Sequence, residues 1–195
     1  MLRIGVTGGI GSGKSTVCRI LEVLGVPVFH ADDEGKRLLQ DDAEVKKQLL
    51  ATFGEAILSQ GVLDRKALAH VVFHDPIALA KLNAIVHPAV REAFRSFCTE
   101  HGHAPYVVME AAILAETGGH AAMDHLVVVT APETERVKRV MERDEMGEEE
   151  VRARLRNQTN DDTRVKLADT VIVNDGQTMV IPQVLALHER LTATT

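Results

Sequence analysis

Residues 8 to 16 read Gly-Gly-Ile-Gly-Ser-Gly-Lys-Ser-Thr, with Gly8, Gly13, Lys14 and Ser15 at the fixed positions of a phosphate-binding loop. Glycines let the backbone curl so that successive N–H groups converge on phosphate oxygens. A helix opening directly behind them turns its positive end toward the same charge. Gly9, Ile10, Gly11, Ser12, Gly13 and Thr16 are expected to complete a nucleotide cradle. Lys14 is expected to reach the outer phosphates, and Ser15 to offer its hydroxyl to Mg²⁺.

Phosphoryl transfer also needs a group that orients or deprotonates the attacking hydroxyl, and Asp32 is the first choice; capping of the following helix is the alternative. Arg136, Arg139 and Arg143 are spaced three and four apart and line one helical face, with Arg152, Arg154, Arg156 and Gln158 in the next stretch. They either close over a nucleotide and neutralise the moving charge, or face water and pair with Glu135, Glu142 or Glu148. Arg65, at a helix start after a loop, is a candidate contact for an anionic acceptor. Glu110 and Glu116 flank a strand end, where they either hold a loop or Mg²⁺ through water, or face solvent. Asn174-Asp175-Gly176 is either a turn or an adenine-edge contact. His87-Pro88 reads as a helix break with a packed histidine, and His70 with His74 as a surface pair rather than zinc ligands.

The elements that must position these residues follow from periodicity. Leu2, Ile4 and Val6 alternate as a first strand ending at Thr7, and Val17, Ile20, Leu21 and Leu24 recur at helical spacing. Residues 26–29 read as a second strand, 35–53 as helix-rich, 54–61 as a short connection, and stretches after 64, 75 and 88 as further helices. Residues 106–109 and 126–129 are nearly continuous apolar runs, as in parallel strands covered on both faces. Helices are expected over 133–144, 148–157 and 179–191, and a last strand over 171–173.

At 195 residues the chain suits one well-buried unit with excursions. The 22 Lys and Arg against 28 Asp and Glu give a net charge of -6, which argues against a broad nucleic-acid-binding surface. Two cysteines, Cys18 and Cys98, fit a reduced interior better than a disulfide scaffold, and no apolar run approaches bilayer length. A cytoplasmic protein is therefore expected, with no nucleic acid, membrane or obligate protein partner.

Several motifs together resemble the dephospho-coenzyme A kinase family almost end to end. They are Thr7 to Thr16, Ala31-Asp32, Gly61-x-Leu63-Asp64-Arg65, Leu82-Asn83-x-Ile85-x-His87-Pro88, Arg139-x-x-x-Arg143-Asp144, Arg154-x-x-x-Gln158, Ala168-Asp169 and Val171-Ile172-x-Asn174. The resemblance implies an α/β P-loop fold: a mostly parallel five-stranded sheet in a three-layer core (1–34, 101–132, 160–195), a helical acceptor-binding subdomain (35–100) and a lid (133–159). It implies ATP as donor with Mg²⁺, and the ribose 3′-hydroxyl of dephospho-CoA as acceptor. Asp32 would be the hydroxyl-activating aspartate, Lys14, Arg139 and Arg143 would act on the donor phosphates, and Asn174 would help hold adenine. Arg65, His87, Glu110 and Glu116, with Asp32, would serve the acceptor.

Two departures stand out. The family often has Asp-Ala-Asp where this chain has His30-Ala31-Asp32, and Pro-Leu-Leu-Phe-Glu where Ala112-Ile113-Leu114-Ala115-Glu116 stands here. Another small-molecule kinase, or a nucleotide-dependent switch, are the competing readings of the loop alone.

Overall fold

The computed structural model describes residues 1–59, 61–73, 75–115, 118–156 and 158–193. The chain enters β1 (Leu2–Thr7), turns through the glycine loop into α1 (Lys14–Val23), and continues to β2 (Val28–His30). Then come α2 (Ala31–Asp41), α3 (Ala43–Phe53), β3 (Leu58–Ser59), β4 (Val62–Leu63), α4 (Arg65–Phe73) and α5 (Pro76–Glu100). The remainder is β5 (Tyr106–Glu110), β6 (His125–Thr130), α6 (Glu133–Asp144), α7 (Glu148–Arg156), α8 (Asp161–Leu167), β7 (Thr170–Val173) and α9 (Val180–Ala193). Two compact units result: residues 1–30 with 98–195, and residues 31–97.

The first unit is built on a five-stranded sheet in the order β2-β5-β1-β6-β7, with every neighbouring pair parallel. Parallel strands need both faces covered, and the sequence supplies the means. All four residues from Leu126 to Val129 are at most 3% exposed. Ile4 and Val6 pack with Val17, Cys18 and Leu21 of α1 and with Val184, Leu187 and Leu191 of α9. β1 takes the middle place, so the loop that follows it emerges at the carboxyl edge of the sheet, where open α/β folds receive ligands. Tyr106 begins β5 fully buried, its hydroxyl 2.7 Å from His188 Nδ1. The second strand starts at Val28, two residues later than its apolar run suggests, and ends at His30.

The second unit has a core of its own, made of Val45, Leu49, Ile57, Leu68, Val72 and Ala78. Its first helix begins at Ala31 rather than Gly35, with Asp32, Asp33 and Glu34 in the first turn where the helix dipole favours negative charge. Asp42 then ends the run and caps α3, accepting from Val45 N at 2.8 Å. The short connection expected over 54–61 contains a 3₁₀ turn (Gly54–Ile57) and the start of a small antiparallel hairpin, Leu58 opposite Leu63 and Ser59 opposite Val62. Asp64 caps α4 through the amides of Lys66 and Ala67.

His87-Pro88 does not break a helix: α5 runs unbroken from Pro76 to Glu100 with Pro88 inside it. An interior proline costs about 3 kcal/mol through its missing N–H and its clash with the preceding turn. Packing on both sides of Pro88 offsets that loss. Ile85 and Ala89 join the apolar cluster, and Val86 and Val90 lie beside Gly35, within 3.7 and 3.8 Å of where a β-carbon would sit.

Candidate active site

Residues Gly8 to Gly13 run from β1 into α1 without a side-chain cap, and Thr16 N and Val17 N both donate to Gly13 O, at 3.0 and 3.2 Å. Gly13 has φ 99°, in the left-handed region, and a β-carbon there would lie 2.1 Å from Asn174 Nδ2. Both facts demand glycine. Lys14 Nζ donates to the carbonyls of Gly8 at 2.8 Å and Gly9 at 3.3 Å, which holds the ammonium over the loop. Ser12 is fully buried, and its Oγ has no hydrogen-bond partner among the described residues.

The loop is fastened from one side by α6 and the segments around it. Arg136, 7% exposed, donates through Nε to Ile10 O at 3.0 Å and through Nη1 to Asp161 at 2.8 Å. Its guanidinium lies so near Gly9 that a β-carbon there would stand 2.2 Å from Nη2. Arg139 donates to Gly11 O at 3.4 Å and Asn174 O at 3.0 Å, and Asn174 Nδ2 donates to Ser12 O at 2.8 Å. Ile10 N donates to Gln158 Oε1 at 2.9 Å. Asp161 also accepts from the fully buried Arg164 at 2.9 Å, so one carboxylate bridges two guanidinium groups.

Arg143 is placed differently. It is exposed and forms a forked pair with the adjacent Asp144, at 2.7 and 3.0 Å. Arg152 pairs with Glu133 and Glu148. Arg136, Arg152, Arg156 and Gln158 share the lining of one cleft of about 560 Å³.

On the other side of the loop, Ser15 Oγ donates to Glu110 Oε1 at 2.8 Å, and Glu110 Oε2 lies 2.6 Å from His30 Nδ1. His30 Nε2 lies 3.0 Å from Glu22 Oε1. Burial alone lowers the pKa of His30, but the hydrogen bonds to Glu22 and Glu110 and their negative charge outweigh it, and the net shift is upward. Cys18, on the buried face of α1, has its thiol pushed far up by burial first and by Glu110 and Glu22 next, which disfavours the thiolate.

The helical unit carries Asp32, exposed in the first turn of α2, and Arg65, exposed at the start of α4. Arg65 lines a cleft of about 300 Å³ with Gln40, Ser59, Val62, Leu63 and Asp64. His87 is half-buried on α5, its pKa lowered by burial first and by Arg91 next. Glu116, His74 and the helix end expected at Asn157 lie outside the described residues.

Oxygen ligands suit Mg²⁺. Among the described residues no His, Cys, Asp and Glu group of three or more is placed to hold a metal. A Mg²⁺ ion that accompanies a nucleotide is held by one or two protein oxygens plus phosphates and waters rather than by an all-protein cage. Ser15 Oγ at the loop, beside the Glu110 carboxylate, is a donor set of that kind.

Sequence reasoning missed Glu22, Asp161 and Arg164 altogether, and it left Arg136 and Gln158 among charged helix residues without a specific bond. Only the Arg136–Arg139 spacing, which puts both on one face of α6, carried a signal. No described helix is long and apolar enough to cross a membrane.

A family model described as dephospho-CoA kinase matches residues 2–179. The chain is 40% identical to the dephospho-CoA kinase of Bacteroides fragilis (strain YCH46) over 95% of its own length and 91% of that protein's. It is 42% identical to that of Methylococcus capsulatus (strain Bath), over 97% and 96%. Among solved structures, a Thermus thermophilus protein superposes with a TM-score of 0.86 at 38% identity, covering 100% of this chain and 98% of that one. The fold is shared with shikimate kinase from Acinetobacter baumannii, at a TM-score of 0.52 and 14% identity, over 100% and 95% of the two chains. With the glycine loop, its lysine and its bracing arginines in place on a parallel sheet, the chain belongs to the dephospho-CoA kinase family, whose members are ATP-dependent kinases.

Proposed function

We propose that this chain transfers the γ-phosphoryl group of ATP to the ribose 3′-hydroxyl of dephospho-CoA, giving CoA and ADP in the cytoplasm. The observation that carries the reading is the phosphate loop itself, formed between β1 and α1 in a chain matched to one family over residues 2–179. Asp32 accepts the proton of the 3′-hydroxyl as that oxygen bonds to the γ-phosphorus. The bond from the γ-phosphorus to the bridging oxygen breaks, and ADP leaves with the electron pair. Lys14 and the loop amides bind the donor phosphates, and Arg139 and Arg143 stabilise the charge that develops on the transferred group. Ser15 would hold the Mg²⁺ that accompanies the nucleotide, and the ion would supply neutralisation of phosphate charge.

Residues 35–100 are assigned to the acceptor, with Arg65 and His87 as contacts and Glu110 and Glu116 completing the set. Residues 133–159 act as a lid, and Asn174 serves the adenine end. A small core of Val137, Val140 and Val151, joined by Met141, Met146 and Leu155, fastens α6 to α7, and Ile10 of the phosphate loop packs against it.

Purified protein incubated with Mg²⁺-ATP and dephospho-CoA tests the proposal, with products resolved by mass. ADP together with an acceptor heavier by one phosphoryl group at the ribose 3′-position is expected. An intact acceptor beside phosphorylated nucleoside monophosphates would reassign the substrate. Asp32→Asn is expected to lower kcat about 10²- to 10⁴-fold with little change in fold; unchanged turnover would remove Asp32 from the mechanism.

A further inference from the structure

Ser15, Glu110, His30 and Glu22 form one continuous hydrogen-bonded row that ties α1, β5 and β2 together. Both oxygens of Glu110 are engaged, Oε1 by the Ser15 hydroxyl and Oε2 by His30. Its side chain is only 12% exposed, so these two donors replace hydration the carboxylate has lost. His30 has a carboxylate oxygen at each ring nitrogen, and donation from both fixes the ring in one orientation. An aspartate at this position, which the family resemblance leads one to expect, would face Glu22 and Glu110 with like charge. The row closes here because a histidine stands between two acids.

The consequence reaches the loop. A serine hydroxyl has one proton and two lone pairs. With its proton committed to Glu110, the lone pairs of Ser15 take a fixed direction, which is what a hard cation requires of a hydroxyl ligand. We propose that His30 is a positioning residue: by clamping Glu110 it orients the Ser15 oxygen for the Mg²⁺ that accompanies the donor nucleotide. The inference rests on the donor site described under Proposed function.

Calorimetric titration with a non-hydrolysable ATP analogue, in Mg²⁺ and in EDTA, tests it without any acceptor or turnover. The wild type, His30→Ala and His30→Asn are compared. The asparagine amide can still donate from nearly the Nδ1 position to Glu110 but not to Glu22. For His30→Ala, affinity in Mg²⁺ is expected to fall about tenfold, the low end for a group that acts through a metal ligand, while affinity in EDTA stays within about twofold. His30→Asn is expected to recover most of the loss.

Equal loss in Mg²⁺ and EDTA, no loss in either, or an asparagine variant as weak as alanine would each overturn the assignment. A wild-type protein whose affinity ignores Mg²⁺ would overturn the donor site and this inference together. That result is distinct from the other three because it appears before any substitution is made.

Discussion

The two ends of one helix treat the same residue type in opposite ways. Near the start of α6, Arg136 and Arg139 bond backbone carbonyls of the phosphate loop, and Arg136 is almost wholly buried. At its end, Arg143 lies exposed against Asp144, and across the turn Arg152 reaches Glu133 and Glu148 at the surface. All of these guanidinium groups find acceptors, but burial decides what each contributes. A buried guanidinium that loses its partners, or leaves them, is costly, whereas a surface pair gives back in desolvation and side-chain entropy most of what it gains. Arg136 therefore shapes the loop, and the outer arginines keep their charge available for other work.

Four measurements test that contrast, in order of their expected effect on unfolding. Arg136→Ala should destabilise the protein by roughly 3 kcal/mol in urea titration, the low end for a broken buried pair because Arg164 still neutralises Asp161. A loss well below 1 kcal/mol would erase the distinction between the two ends. Gly13→Ala should cost about 1–3 kcal/mol from its positive φ, with a further penalty from the clash with Asn174. Combining it with Asn174→Ala should cost less than the two singles summed, and strict additivity would show that the clash is relieved some other way.

A smaller effect is expected from His30. Its folded form holds the proton more tightly than the unfolded chain, so its stabilisation is complete below its ordinary value of 6.5 and is lost as pH rises through the raised folded value. Glu22 on α1 and Glu110 on β5 are the charged groups facing it, and His30→Asn should flatten this part of the stability–pH curve. Arg143→Ala should leave the urea midpoint where it is yet lower kcat about 10²-fold, as removal of a donor to the transition state does. A shifted midpoint with normal kcat would move Arg143 into the structural class of Arg136.

The loop, the five strands and most helices are legible because each is written locally. Glycine spacing marks the loop, alternation marks β1, and runs of valine mark β5 and β6. Local writing also explains the misses. Pro88 carries a strong helix-ending signal, but the packing of Ile85 and Ala89 that overrides it comes from residues distant in sequence. α8 is too short for an apolar period, although Asn160 caps it by accepting from Thr163 N at 2.8 Å and its first turn is acidic. The Ser15–Glu110 bond joins residues 95 apart and the Arg136–Asp161 pair residues 25 apart, and neither separation has a periodicity to reveal it. Asp32 is legible as a strand-end acid, but Asp32, Asp33 and Glu34 together suit a helix start equally well, and the local run does not say at which residue strand gives way to helix.

The middle place of β1 also sets a timetable for the protein's birth. The strand that leads into the phosphate loop leaves the ribosome long before its partners, Tyr106 to Glu110 on one side and His125 to Val128 on the other. At about 5–20 residues per second, roughly 5–20 s of translation separate the emergence of the loop from that of the strands that hold it. Throughout that interval Leu2, Ile4 and Val6 are an unpaired apolar strand, whereas the cluster built from Val45 to Ala78 has all its members early. A nascent chain arrested before residue 106 should accordingly bind no nucleotide, although its glycine loop has long been complete.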